Sequence, residues 1–262
     1  MDDMRDRVAV ITGGTAGIGF AIAQELLARG AHVVITGRGQ QKLDDAVAAL
    51  GARASGARAS GARASGVRAD VANSAEMDAV FAHVAERHGH IDTLVANAAA
   101  GPTSVLGSIT DEDFDVIFST NVRGILYTVQ KAFPLMRPGG TITLIGSMAS
   151  IKSSYGLSLY SASKAAIRNF LGAWIQETRG SGVRMNVLSP GPVDTDNLRA
   201  GLARALGPDG VEAQLEAMRA GAPLGRIGEP RDIATVAAFL ASDEAGFIHG
   251  AELFVDGGFS QL

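Results

Sequence analysis

The stretch VAVITGGTAGIGFAIAQELLARG, residues 8–30, decides how the rest of the chain is read. Val8–Thr12 is a short apolar run rich in β-branched side chains, which predicts a strand buried on both faces. Glycines follow. The apolar-periodic segment after them predicts a helix that stops at Gly30. A glycine turn joining a strand to a helix is the setting a dinucleotide site requires. Gly13 lets the chain turn sharply, while Gly17 and Gly19 lack Cβ atoms. Backbone N–H groups and the helix N-terminus can then approach a pyrophosphate. Thr15 and Ile18 lie in the same turn and are taken as cofactor contacts with the glycines. The spacing is G-x-x-x-G-x-G rather than the commoner G-x-G-x-x-G.

The same alternation continues outward. Further strands are expected at 32–36, 67–71, 92–99, 141–147, 183–189 and 252–258. Helices are expected at 41–50, 76–88, 159–178, 196–219 and 231–241, with one long helix or two over 111–136. Apolar strands alternating with helices through short connections predict an α/β fold: a Rossmann-like, doubly wound parallel sheet of about seven strands, with helices on both faces. No linker-like break divides residues 1–262, so a single domain is expected.

Bulk properties narrow the function. Net charge is −4 and no segment is strongly basic, which argues against nucleic acid as a partner. There is no cysteine, so no disulfide framework or thiolate metal site. The charged N-terminus MDDMRDR does not read as a signal peptide, and no run of eighteen apolar residues occurs. A soluble cytoplasmic protein without a membrane role is the expectation. The five histidines show no carboxylate cluster, and His88-Gly89-His90 reads as a helix end rather than a metal site.

The end of the second strand reads Thr36-Gly37-Arg38. An NAD site usually places a carboxylate there to accept from the ribose hydroxyls. Here it is missing, and the Arg38 guanidinium could pair with a 2′-phosphate. NADP(H) is therefore favoured over NAD(H).

YSASK, residues 160–164, sets a tyrosine four positions before a lysine. On a helix these share a face. A phenol titrates near ~10, too high for acid–base work at neutral pH, and a nearby cation favours phenolate. Ser147 ends the fifth strand, at the sheet edge where open α/β sheets bind ligands. Its hydroxyl can donate to a carbonyl oxygen. Asn121 falls inside a predicted helix that it suits poorly, so its amide is a candidate for holding a water.

With these pieces in place, the sequence resembles a classical short-chain dehydrogenase/reductase over nearly its whole length. The matching pieces are TGGTAGIG (12–19), Asp70-Val71, Asn97, Asn121, Ser147, YSASK, PGPVDT (190–195) and VDGG (255–258). The resemblance implies Tyr160 as acid/base, with Lys164 lowering its pKa and binding the nicotinamide ribose. It implies Ser147 on the carbonyl and Asn121 positioning a relay water. Asp70 and Val71 would meet the adenine, and Asn97 would support the cofactor. Pro190, Gly191, Val193 and Thr195 would border the carboxamide. It also implies a small-molecule carbonyl or alcohol substrate and a homo-oligomer, a dimer of dimers built on the helices over 111–136 and 159–178. Trp174, with Ile167, Phe170 and Leu171, then reads as core or subunit packing. The expected activity is ketone or aldehyde reduction by hydride transfer, of carbonyl reductase or alcohol dehydrogenase type. The alternatives are an NAD-dependent alcohol or sugar dehydrogenase, and a catalytically silent NADP(H)-binding sensor or scaffold.

Two stretches depart from the family pattern. The usual Asn-Asn-Ala-Gly is here Ala96-Asn97-Ala98-Ala99, expected to be a tolerated packing change. Residues 51–66 read GARASGARASGARASG. Glycine at every fifth position opposes a helix, and arginines five apart make no stripe. A low-complexity loop insertion in a helix-to-strand connection is expected, remote from the ligand edge. The substrate-covering segment 196–223, mostly Ala, Gly, Leu and Arg, suggests a mobile lid.

Overall fold

The computed structural model describes residues 4–54, 63–101 and 103–261. Seven strands form one parallel sheet: β1 (Val8–Ile11), β2 (His32–Gly37), β3 (Ala64–Arg68), β4 (Ile91–Ala96), β5 (Met136–Ile145), β6 (Arg184–Pro190) and β7 (Glu252–Val255). Their order is β3-β2-β1-β4-β5-β6-β7, so the winding reverses between β1 and β4. The expected doubly wound α/β fold is present as a single domain.

Two apolar layers hold the sheet. Alternate strand residues point to opposite faces, and β1 feeds both. Ala9 and Ile11 join a core with α1 (Gly17–Ala28) and α9 (Pro230–Ala241), through Ile22, Leu26, Ile233 and Leu240. Val8 and Val10 join the other core with α3 (Ser74–His88), α5 (Gly124–Ala132) and α6 (Ser158–Glu177), through Val80, Ile125, Ile167 and Leu171. Burial on both faces is why β1 and β2 read as continuous apolar runs. Phe170 and Trp174 on α6 stack with centroids 4.7 Å apart.

Several boundaries differ from expectation. The long stretch over 111–136 divides into α4 (Asp111–Phe118), a π turn (Ser119–Arg123) and α5. A capping box between Thr110 and Asp113 starts α4. The segment expected as one helix over 196–219 is broken into α7 (Asp196–Leu206) and α8 (Val211–Gly221). Gly207 between them has φ +79°, and Pro208 follows. Neither continues a helix.

The repeat is not loop at its ends. Helix α2 (Gln40–Ala54) runs four residues into it, and β3 begins at Ala64 rather than at 67. The cause of the early strand is packing. Ala64 pairs with Val33, and a Cβ on Gly66 would come within 2.9 Å of the side chains of Leu43 and Val47 on α2. Small residues let this edge strand lie close beneath its helix. Arg63 donates to the Gly30 carbonyl and accepts from the Val33 amide through its own backbone oxygen. Residues 55–62 lie outside the described residues. Asp70 and Val71, expected to close the strand, follow it.

Candidate active site

A cleft of about 650 Å³ opens along the carboxyl ends of the strands. Every residue expected to bind cofactor lines it: Gly13, Thr15, Gly17, Ile18 and Gly19 from the turn, Arg38 after β2, Asp70 and Val71 after β3, and Asn97 after β4. Ser147, Tyr160 and Lys164 line its inner part, and Pro190, Gly191, Val193 and Thr195 its far wall.

The turn is shaped by close approach. Gly13 has φ +65°, and a Cβ there would stand 2.9 Å from the Ala98 Cα. A Cβ on Gly19 would overlap the Asn97 amide and the Gly13 carbonyl. Asn97 donates through Nδ2 to the carbonyls of Thr12 and Gly13, both at 3.0 Å. It therefore holds the turn from the neighbouring strand end. Helix α1 has Ala16 at its N-cap, with no side-chain cap and no acidic residue in its first turn. Its leading N–H groups are left for an outside acceptor. In contrast, Asn73 caps α3 through Ala75 and Glu76.

Arg38 is exposed at the rim, and Lys42 in the first turn of α2 lines the same part of the cleft. Among the described residues neither pairs with a carboxylate. Sequence reading missed Lys42. Its signal was a second cation just beyond Arg38, in the first turn of the helix that follows β2. Uncapped N–H groups facing the cleft, two unpaired cations and the absent β2 carboxylate fit a dinucleotide carrying an additional phosphate.

Ser147 follows the end of β5 and leads into a short helical turn, Met148–Ser150, where its Oγ accepts from the Ala149 amide at 3.1 Å. Tyr160 and Lys164 lie on one face of α6, as their spacing requires. Lys164 is 2% exposed, and its Nζ donates to the Ile145 carbonyl at 2.8 Å. Burial lowers its pKa to about 8. Tyr160 keeps some surface open to the cleft, yet burial pushes its phenol up, with the Ser147 hydroxyl acting in the opposite direction. The expected depression of Tyr160 by Lys164 is not the balance found in the protein alone. Two groups crowded out of water each favour their neutral form.

Asn121 is fully buried in the π turn. Its Nδ2 donates to the Ala100 carbonyl at 2.8 Å and to Ser163 Oγ at 2.9 Å. Its Oδ1 accepts from the Ala100 amide at 2.7 Å. The amide expected to hold a water is thus spent on protein, tying the loop after β4 to α6. A π turn inside helical structure is rare and occurs mostly at functional sites. Ser163, the partner missed in the sequence, is completely buried.

The segment PGPVDT is set by the chain's end. A Cβ on Gly191 would stand 2.7 Å from the Asp256 Cα, and the Gly191 amide donates to the Val255 carbonyl. Thr195 caps α7 by accepting from the Leu198 amide at 3.1 Å.

A glycine turn at the switch point of a doubly wound sheet, facing a Ser, Tyr and Lys group, defines a dinucleotide-linked oxidoreductase site. The chain belongs to the short-chain dehydrogenase/reductase family, classical type. The profile of the family described as enoyl-(acyl carrier protein) reductase matches residues 13–260. The chain is 41% identical over 258 residues to the oxidoreductase asL5 of Sarocladium schorii, covering 98% of this chain and 96% of that one. It is 33% identical to an NADP-dependent (R)-specific alcohol dehydrogenase of Lentilactobacillus kefiri, covering 99% and 98%. Among solved structures, the aldohexose dehydrogenase of Thermoplasma acidophilum superposes with a TM-score of 0.86 at 28% identity, covering 99% and 96%. As a family member the protein is an oxidoreductase that uses a nicotinamide cofactor on small molecules. Among the described residues no helix is long and apolar enough to cross a membrane.

Proposed function

We propose that the protein is an NADP(H)-dependent carbonyl reductase, acting on a ketone or aldehyde or on the corresponding alcohol in reverse. The observation that carries this reading is the Ser147, Tyr160 and Lys164 group inside the cleft that also holds the glycine turn and Arg38. When bound in this cleft, the nicotinamide would supply the hydride for the carbonyl carbon.

This chain's residues do the rest. The Ser147 hydroxyl donates to the substrate oxygen and orients it. Tyr160, kept as a neutral phenol by burial, gives its proton to that oxygen as negative charge develops there. Lys164 has one protein acceptor, the Ile145 carbonyl, and its other N–H donors are available to ribose hydroxyls. With a pKa of about 8 it can pass a proton on near neutrality. Asn121 fixes the Ala100 loop against α6, and in this reading its turn would position the relay water toward Lys164. Asp70 and Val71 would border the adenine, while Asn97, which holds the glycine turn, would support the pyrophosphate above it. Pro190, Gly191, Val193 and Thr195 would border the carboxamide. Arg38, aided by Lys42, would take the 2′-phosphate.

The test is NADPH oxidation with acetophenone, ethyl acetoacetate and phenanthrenequinone, comparing wild type with Tyr160→Phe. Consumption with at least one carbonyl, lost in the variant, supports the reading. Tight NADPH binding with no consumption favours a silent sensor. Preferential NAD⁺ reduction by alcohols or sugars favours the dehydrogenase alternative.

A further inference from the structure

Glu252 is a buried carboxylate with no part in the mechanism above. It opens β7, and its side chain is 8% exposed. Its Oε1 accepts from Ser189 Oγ at 2.7 Å and from Ser150 Oγ at 3.2 Å. Its Oε2 stands 2.7 Å from Nε of Arg168. Each partner leads to the reacting groups. Ser150 ends the helical turn that Ser147 begins. Ser189 is completely buried and presses on Gly146, where any Cβ would overlap its hydroxyl. Arg168 follows Tyr160 and Lys164 at four-residue steps along α6, which places all three on one helix face.

One carboxylate thus ties Ser150 just after Ser147, Ser189 packed beside Gly146 just before it, and, through Arg168, the helix that carries Tyr160. We propose that Glu252 is a positioning residue that sets the Ser147 hydroxyl against the Tyr160 phenol. This rests on the catalytic roles proposed above for those two residues. The physical reason is rigidity. A buried charge that accepts two hydroxyls on Oε1 and pairs through Oε2 with a guanidinium has a restricted set of arrangements, and its contacts transmit that restriction to three elements. A neutral amide of the same shape keeps an oxygen for the hydroxyls but turns an NH₂ toward Arg168, so the grip on α6 is lost.

The experiment compares wild type, Glu252→Gln, Ser147→Ala and the double variant. It measures reduction of whichever panel carbonyl wild type turns over fastest, and NADPH binding by fluorescence in the absence of carbonyl. Glu252→Gln is expected to lower kcat on the order of tenfold, as small misplacements of reacting groups do. NADPH affinity is expected to stay within about twofold, since these contacts lie away from the glycine turn. In the Ser147→Ala background the Glu252→Gln loss should largely vanish, because its effect runs through Ser147. Wild-type kcat in Glu252→Gln overturns the proposal. So do losses that simply multiply in the double variant, or a parallel loss of NADPH affinity, each of which marks a general structural role. Should Glu252→Gln not fold, Ser150→Ala takes its place, with a smaller kcat loss expected that is again absent without Ser147. Wild-type kcat in that variant overturns the proposal equally. Full activity in Ser147→Ala itself is a different failure: it removes the catalytic reading of Ser147, and this inference falls with it.

Discussion

The ammonium of Lys164 stands 5.7 Å from the centre of the Tyr160 ring, while its hydrogen bond goes to the carbonyl of Ile145. The two groups share a helix face without forming an ion pair. Burial moves the lysine down and the phenol up, so the same enclosure disfavours the charged form of each while the lysine stays largely protonated at neutral pH. A cation kept out of water with one acceptor destabilises the protein that holds it.

Replacing Lys164 by methionine should therefore stabilise the protein alone while abolishing turnover. The pKa falls from 10.5 to about 8 on folding. The unfolded chain then binds more protons between those values, so wild-type stability rises with pH across that window until Tyr160, shifted the other way, begins to oppose it. The methionine variant should lack the rise and gain on the order of 3 kcal/mol at neutral pH as an upper bound. Denaturant melts at a series of pH values check this.

Arg38→Asp should exchange cofactor preference. It removes a charge-assisted contact to the 2′-phosphate and supplies the carboxylate that ribose hydroxyls use. The NADPH Michaelis constant should rise roughly tenfold or more, with that for NADH falling, for a contact of about 1.5–3 kcal/mol. Unchanged constants for both cofactors refute the assignment.

Asn121→Ala should lower both Tm and kcat. The partly buried N–H and C=O of Ala100 lose their partners together, at less than the ~1–3 kcal/mol that a fully buried group left unpaired would cost. The kcat loss should exceed that of a variant equally destabilised elsewhere, because the Ala100 loop borders the Tyr160 ring through Gly101. Thermal melts and initial rates on the same preparations decide it.

His88 at the end of α3 should make the protein acid-sensitive. Burial first, then His32, Arg87, His83 and His90, lowers its pKa below 6.5. The unfolded chain takes up the proton that the folded one resists, so stability is full above about pH 6.5 and declines below it. His88→Gln should flatten that decline in chemical denaturation curves.

Deleting Gly56–Ser65 should leave oxidoreductase activity intact. The repeat makes the deletion self-compatible: Arg53, Ala54 and Ser55 then precede Gly66 as Arg63, Ala64 and Ser65 do now. The arginine that reaches Gly30 and the small residues beneath α2 are supplied again, at the cost of the last turn of that helix. A large loss of kcat in a folded deletion variant contradicts the reading of the stretch as inert.

Most of the fold was legible because its strands are buried on both faces and its turns carry glycine. Val8–Ile11 and His32–Gly37 announce themselves by composition alone. Most cleft residues were legible because each belongs to a short motif at a strand end, and Tyr160 and Lys164 because their spacing puts them on one face of α6. What escaped depends on distant packing. The early start of β3 follows from Gly66 fitting beneath Leu43 and Val47, which no local pattern encodes. Saturation of the Asn121 amide needed Ala100 and Ser163, brought together only by folding. The rise of the Tyr160 pKa needed the depth of its enclosure, which spacing along a helix does not convey.

The central strand also dictates the order in which a newly made chain can assemble. Val10 of β1 lies beside Val34 on one side and Leu94 on the other. As the polypeptide leaves the ribosome, one edge of β1 stays open until β4 has been translated, and parallel pairings across such separations close slowly. The Asn97 amide that holds the glycine turn arrives only with that later strand. Translation pauses before residue 97 would therefore leave an intermediate with a hydrophobic edge for chaperones to shield and no grip yet on its nucleotide.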